Sequence, residues 1–443
     1  MYGKETEKAL AWLGKGQTPR EMIRAYGEVK LAAVRAQQEA FSLYPQDYFP
    51  HLEESLEEII RGERDDSFPL PLAQGGAGTS LHMNLCETAS LLANEKFTGA
   101  FDADPLDHLA RFQSTNDTFP TAVILMTYRF LEDTEKNVVA LQEALVAREK
   151  EYEEWLMCGR TEGQDGLPIT LGQVFGAWAG PVERDRWRLN KLKERLRTIP
   201  LGGTAVGTGF SAPREYVFAA EKHLRRISGL PLCRSQNLAD ATAHSDSLAE
   251  AAQGMGLCGD NLYKLASDLI LYGMGPVGEI LHGEVQYGST IMAHKVNPVY
   301  LELIRGLSLE ASSLARLIGE YSRSGQWQLN ANLPFLAEQM IRLWERLNRA
   351  LEIASGPLMD ALKPQREVLE RNFYGSPALI NTLRIILDYS VIKDLLPRLK
   401  EKPFSSGEEL IEFISGETGM DREELAEKLS SYRLTGFSRG AHL

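Results

Sequence analysis

The chain has 443 residues, 43% of them apolar, with 48 basic against 61 acidic side chains and a formal net charge of −13. A chain of this length can bury a large core and divide into two or three domains. The acid excess argues against nucleic acid and anionic membrane surfaces as partners, and no run reaches the roughly 18 apolar residues of a membrane span.

Four cysteines, Cys86, Cys158, Cys233 and Cys258, are too few and too scattered for a disulfide framework. None stands at metal-ligand spacing with histidine, so reduced, buried thiols are expected and no metal or cofactor is. The opening Met-Tyr-Gly-Lys-Glu-Thr-Glu-Lys lacks the basic start and apolar core of a signal peptide, which makes a soluble cytoplasmic protein the expectation.

Taken in chain order, the first informative segment is 74–80, Gln-Gly-Gly-Ala-Gly-Thr-Ser, a glycine-rich loop ending in the hydroxyls of Thr79 and Ser80 and followed by Leu81-His82-Met83-Asn84. Residues 113–121, Gln-Ser-Thr-Asn-Asp-Thr-Phe-Pro-Thr, place neutral donors and caps just before the apolar stretch 122–130. Residues 133–157 and 183–198 are charged, amphipathic and free of internal proline or glycine, as helices are. Between them, Gly159-Arg160-Thr161-Glu162 precedes Pro168-Ile169-Thr170, and 202–209 reads Gly-Gly-Thr-Ala-Val-Gly-Thr-Gly. Each of these polar segments alone is an ordinary cap or turn; four of them, all rich in Thr, Ser and Asn, suggest one polyhydroxyl pocket built from distant parts of the chain. Helical periodicity continues over 216–227, 238–253, 261–272, 299–323 and 335–355, and strict two-residue alternation is rare. Helices of 20 to 30 residues span about 30 to 45 Å, so an all-α long bundle is expected, with apolar stripes left bare unless other subunits cover them. A helical N-terminal domain over 1–114, a central bundle over 115–367 and a small C-terminal helical domain over 368–443 complete the expected plan.

The richest segment is 288–298, Gly-Ser-Thr-Ile-Met-Ala-His-Lys-Val-Asn-Pro. Small and hydroxyl residues bring backbone N–H groups close to a ligand. Lys295 adds a cation, and Asn297 before Pro298 is a good helix start. Read plainly this is a surface loop; read chemically it is an anion site with a base inside it.

These motifs carry a resemblance to the fumarase/aspartase superfamily of lyases, in particular its aspartase–class II fumarase branch. That branch has Gly-Ser-Ser-x-Met-Pro-x-Lys-x-Asn-Pro, matched at 288–298, and Gly-Ala-Gly-Thr-Ser-x-x-Met-Asn, matched at 76–84. Its Gln-Ser-Ser/Thr-Asn-Asp-Thr-Phe-Pro-Thr is matched at 113–121, and Pro-Leu-Gly-Gly-Thr-Ala-Val-Gly-Thr-Gly residue for residue at 200–209. The likeness extends in the family's order to Ser376-Pro377-Ala378-Leu379. It implies a homotetramer with a twenty-helix core, active sites built from three subunits, and anti-elimination from a succinyl-type substrate to give fumarate.

The residues themselves suit such chemistry. They contain no nucleophile–histidine–acid set, no P-loop and no Rossmann signature, but many neutral donors, one cation and one loop serine. Those fit proton abstraction beside a carboxylate, where charge builds on oxygens that preorganised donors can hold. A dicarboxylate meets a repulsive overall field, screened beyond about 8 Å, so local donors, helix N-termini and Lys295 must bind it. By position in the family motifs, Ser289 is the general base, acting as an oxyanion, and Thr290 donates to the aci-carboxylate. Thr79, Ser114 and Thr115 hold the same carboxylate; Lys295 and Asn297 hold the other, with Thr161 beside it. Asn116 faces the leaving group, and Glu302 stands where the family has a glutamate that pairs with its active-site histidine.

That histidine is absent. The family's Gly-Arg-Thr-His reads Gly159-Arg160-Thr161-Glu162 here; Leu81-His82, Leu85-Cys86 and Ala293-His294 also depart from the pattern, and another family histidine falls on Asp104. Two acids close together, Glu162 and Glu302, raise one another's pKa unless a cation lies between them, and a protonated amine on the substrate is such a cation. His82 is the alternative occupant of the vacated space. The reading is therefore a carbon–nitrogen lyase acting on aspartate or a derivative. Carbon–oxygen elimination as in fumarate hydratase, an unusual leaving group and a non-catalytic scaffold are the alternatives.

Overall fold

Sequence with helical periodicity becomes helix over most of the chain, and two of the long helices even carry a proline inside them, Pro120 and Pro181. The computed structural model describes residues 1–292, 294–401 and 403–436. Helices α1 (Lys4–Leu13), α2 (Arg20–Phe41), α3 (Phe49–Arg61) and α4 (Thr79–Lys96) precede α5 (Thr115–Glu151) and α6 (Leu171–Arg195). Then come α7 (Arg214–Ser228), α8 (Leu238–Ala243), α9 (Asp246–Tyr272), α10 (Val299–Arg323) and α11 (Leu333–Ser355), with seven shorter helices, α12 to α18, from Pro357 to Thr435. Strands among the described residues form only two-stranded pieces, of which the antiparallel pair β1 (Leu156–Thr161) and β2 (Gln164–Thr170) is the largest. The fold is all-α, and among the described residues no helix is long and apolar enough to cross a membrane.

The helices depart from their expected bounds in two informative places. The helix expected over 133–157 ends at Glu151, and Leu156, Met157 and Cys158 turn into β1. Burial decides this: Leu156 and Cys158 pack into an apolar cluster with Phe373, Leu383, Phe404 and Leu410 from the C-terminal helices. The segments expected over 238–253 and 261–272 are redivided instead. Their boundary moves to His244–Ser245, and α9 runs unbroken through Gly254, Gly256 and Gly259. A Cβ on Gly256 would lie 2.6 Å from the Ala315 methyl, so the glycine is there for close approach of α10, not to end a helix. No cysteine is in a disulfide; Cys86, Cys158 and Cys258 are buried as expected, whereas Cys233 is exposed.

Two compact units result: Met1–Lys136, Arg186–Asp260 and Ser308–Asn348 make the first; Asn137–Asp185, Asn261–Leu307 and the chain from Arg349 make the second. In the first, Glu87 of α4 holds the start of α1, accepting from Glu5 N at 2.7 Å, Thr6 N at 3.0 Å and Thr6 Oγ1 at 2.6 Å. In the second, a buried ion pair fixes the β1–β2 hairpin. Both terminal nitrogens of Arg160 donate to Glu279 at 2.7 Å, and Arg160 Nε reaches Asp165 at 3.1 Å. Glu279 is fully enclosed and also accepts from Asn372 Nδ2 at 2.9 Å, while Ser376 Oγ donates to Asp165 at 2.9 Å. The Glu279 partnership raises the Arg160 pKa, so this cation is permanent.

Breaking a buried bidentate pair strands the remaining charge, at roughly 3–5 kcal/mol. Glu279→Gln is expected to destabilise the protein by about 3 kcal/mol, the low end, because Arg160 keeps Asp165 and some solvent. Urea unfolding checks this; an unchanged midpoint would show that the hairpin does not depend on the pair.

Candidate active site

The first unit carries one group of the expected site residues, all at helix starts. Gly78, in a left-handed conformation, leads into α4, whose first residue is Thr79. Thr79 is exposed and its hydroxyl donates to Gly76 O at 2.8 Å. Gln74 supports this turn by accepting from Leu81 N at 3.2 Å. At the start of α5, Ser114 and Asp117 cap the helix reciprocally: Ser114 Oγ accepts from Asn116 N at 3.2 Å, and Asp117 Oδ1 from Ser114 N at 3.0 Å. Ser114, Thr115 and Asn116 therefore sit at the positive end of a 37-residue helix, where anions are favoured. Asn116 Nδ2 donates one hydrogen to Ala205 O at 2.8 Å, in the 200–209 turn, which fixes the amide and leaves its oxygen and one N–H for a further partner.

His82 lies one turn into α4 with only 4% of its surface exposed. Its Nε2 is 3.0 Å from Lys30 Nζ and its Nδ1 is 2.9 Å from the Tyr26 hydroxyl. Burial and then the Lys30 charge push its pKa well below the usual range, so the ring is neutral. An ammonium needs an acceptor, which assigns the ring proton to Nδ1. Lys30 also donates to Gln113 Oε1 at 2.7 Å, so a buried cation backs the residue that opens the Ser114 motif. Asp104 is likewise committed, its carboxylate accepting from Leu106 N and Asp107 N at 2.8 Å.

The second unit carries the rest. Thr161 ends β1 and Glu162 opens the hairpin turn; both are exposed. Glu162 at φ 53° and Gly163 at φ 73° form a two-residue loop with both residues left-handed, a geometry that favours Asn, Asp and Gly. A glutamate there is strained, and such strain gathers where function needs it. In the 288–298 loop, the half-buried Ser289 Oγ accepts from Ile291 N at 3.3 Å and Met292 N at 3.1 Å. Two backbone donors aimed at a serine oxygen are the arrangement that stabilises its anion. Thr290 and Lys295 are exposed, and Ala293 lies outside the described residues. Asn297 does not cap α10 with its side chain, as its place before Pro298 suggests; its Nδ2 donates to Gly288 O and closes the loop. Glu302 is exposed in the first turn of α10.

Three supporting residues escaped sequence reasoning. Asp117 was visible in principle, since Ser-x-x-Asp before an apolar run marks a capping box. Lys30 and Glu279 carry no local signal; only the folded chain brings them to Gln113 and Arg160.

A lyase profile matches residues 8–312. The chain belongs to this family of lyases, within the fumarase/aspartase superfamily. It is 31% identical to the aspartate ammonia-lyase of Bacillus subtilis (strain 168), over 94% of this chain and 88% of that one. It is 30% identical to the class II fumarate hydratase of Thermus thermophilus, over 90% of this chain and 88% of that one. Among solved structures, a fumarate lyase:delta crystallin from Brucella melitensis superposes with a TM-score of 0.89 at 29% identity, covering 99% of this chain and 96% of its own.

Proposed function

We propose that the protein is a carbon–nitrogen lyase that eliminates ammonia or an amine from an aspartate-type substrate to give fumarate. Ser289 removes the proton from the carbon next to one carboxylate. Its oxygen stands as an anion because the N–H groups of Ile291 and Met292 already point at it and Lys295 lies in the same loop. The carboxylate beside that carbon becomes an aci-carboxylate held by Thr79, Ser114, Thr115 and Thr290. The α5 N-terminus contributes its positive end to that group. Lys295, Asn297 and Thr161 hold the second carboxylate. The carbon–nitrogen bond then breaks and the amine departs.

What supports the carbon–nitrogen reading is the polarity of the residues that the family motifs assign to the leaving group. Asn116 gives one Nδ2 hydrogen to Ala205 O and keeps its amide oxygen as an acceptor beside one further N–H. Glu162, at a strained turn position, offers a carboxylate, and Glu302 supplies a second. Acceptors and negative charge suit an ammonium, which has only donors; a departing hydroxide would need a proton donor there. His82, neutral and enclosed, belongs to the wall behind Ser114 rather than to the leaving group.

Self-association completes the proposed site. A small ligand is bound by being enclosed, whereas Thr79, Thr161, Glu162 and Lys295 are exposed on the single chain. Leu303, Leu309 and Leu317 along α10 and Leu257 and Leu271 on α9 are exposed too, as helices awaiting other copies are. A homotetramer with sites shared by three subunits fits both facts.

Ser289→Ala removes only the base, so turnover should fall by about 10²–10⁴-fold with assembly intact. Activity close to the parent level, measured as fumarate absorbance, would remove Ser289 from the role. Glu162→His tests the leaving-group side. A charge-assisted hydrogen bond of roughly 1.5–3 kcal/mol corresponds to a preference for amine over the isosteric alcohol of about ten- to a hundredfold, and that preference should shrink in the variant. An identical response of aspartate and malate would make Glu162 structural.

A further inference from the structure

Asp117 is the buried acid to which the chemistry above gives no part. It is 1% exposed, at the third position of α5. While Oδ1 accepts from Ser114 N at 3.0 Å, Oδ2 accepts from Gly202 N at 3.1 Å and Thr204 N at 3.0 Å. One carboxylate therefore binds the helix start that carries Ser114 to the 200–209 turn. Within that turn Gly203 N donates to Pro200 O at 2.9 Å and Gly209 N to Gly203 O at 3.0 Å, but Thr204 has φ 58°, an outlier for a β-branched residue, and its own buried hydroxyl has no hydrogen-bond partner. The same turn presents Ala205 O to Asn116 Nδ2. Asp117 thus reaches two site residues by two routes, directly through the Ser114 backbone and through the turn to the Asn116 amide.

We propose that Asp117 is a positioning residue, whose carboxylate sets Ser114 and Asn116 in register with one another by clamping the α5 start to the 200–209 turn. This rests on the reading that Ser114 and Asn116 meet the substrate. Charge matters to the clamp. An ionised carboxylate accepts from both sides, whereas a carboxyl carries a proton on one oxygen and loses an acceptor there. Burial raises Asp117 to about 6, against the three N–H bonds and the Lys30 charge that pull it down. The groups facing it are Lys30 and Tyr26 from α2 and Tyr216 from α7. Burial holds both tyrosines far above the usual range, so they stay neutral. The sign of the fold's own response is opposite to that of the clamp. With its folded pKa raised, Asp117 favours the folded state more as pH falls through about 6. Loss of function on the acid side is then not loss of this part of the fold.

The test uses the full chain with fumarate, a dicarboxylate that stays ionised through this range, as binding probe, together with kcat and KM across either side of pH 6. The parent protein should bind fumarate more weakly, with rising KM, as pH falls through about 6 while its melting temperature does not drop. Asp117→Asn cannot titrate and leaves one set of N–H groups without an acceptor, so its KM should rise about tenfold or more at neutral pH and lose that acid-side dependence. An unchanged KM and pH profile in Asp117→Asn overturns the clamp. If the variant does not fold, the parent decides: fumarate affinity constant through pH 6 overturns it equally. Ser114→Ala and Asn116→Ala separate the two levels of the argument. Unimpaired fumarate binding in both removes those residues from the site, and with them the reading beneath. Weakened binding in them beside an unaffected Asp117→Asn defeats the clamp alone.

Discussion

In the proposed reaction a serine oxygen takes a proton from carbon, which it can do only where its negative charge is held in advance. Two backbone N–H groups meet Ser289 Oγ within a loop that Asn297 closes by bonding to Gly288. Backbone donors suit the task because they need no counter-charge and do not titrate. The residues proposed to hold the carboxylate have fixed support of the same kind. Ser114, Thr115 and Asn116 share a helix N-terminus, whose partial positive charge is fixed by the fold.

Such positions need buried polar supports. Glu279 is enclosed completely around the guanidinium of Arg160, Lys30 is buried against His82 and Gln113, and Asp117 stands among three backbone donors. Apolar residues of similar volume would often be as stable, so stability alone does not account for these groups. Backbone strain points the same way. Ala77, Glu162 and Thr204 have positive φ inside the motif segments, and Phe112 has it directly before one.

Helices and motif loops were legible from sequence because periodicity and caps are local. The helix over 299–323 has those bounds in the structure, as α10. The β1–β2 hairpin was not legible: Leu156 to Cys158 continue a helical pattern, and only burial against the C-terminal cluster overrides it. Gly254, Gly256 and Gly259 look like a break and are instead a close helix contact. Candidate site residues could be proposed from the motifs, but their supports could not, since Lys30 lies 52 positions from His82 and Arg160 119 from Glu279. A side chain's commitments were equally hidden; nothing in the order of residues says that Asn116 gives an amide hydrogen to Ala205 O.

Superfamily relatives of nearly equal similarity carry ammonia-lyase and hydratase names, so overall likeness does not choose the leaving group, and the carbon–nitrogen proposal rests on local polarity. The most direct measurement is the absorbance of fumarate after the assembled protein is mixed with aspartate and, separately, with malate. The account predicts steady appearance of fumarate from aspartate and much slower appearance from malate. Faster release from malate, or none from either substrate by folded protein, would contradict it.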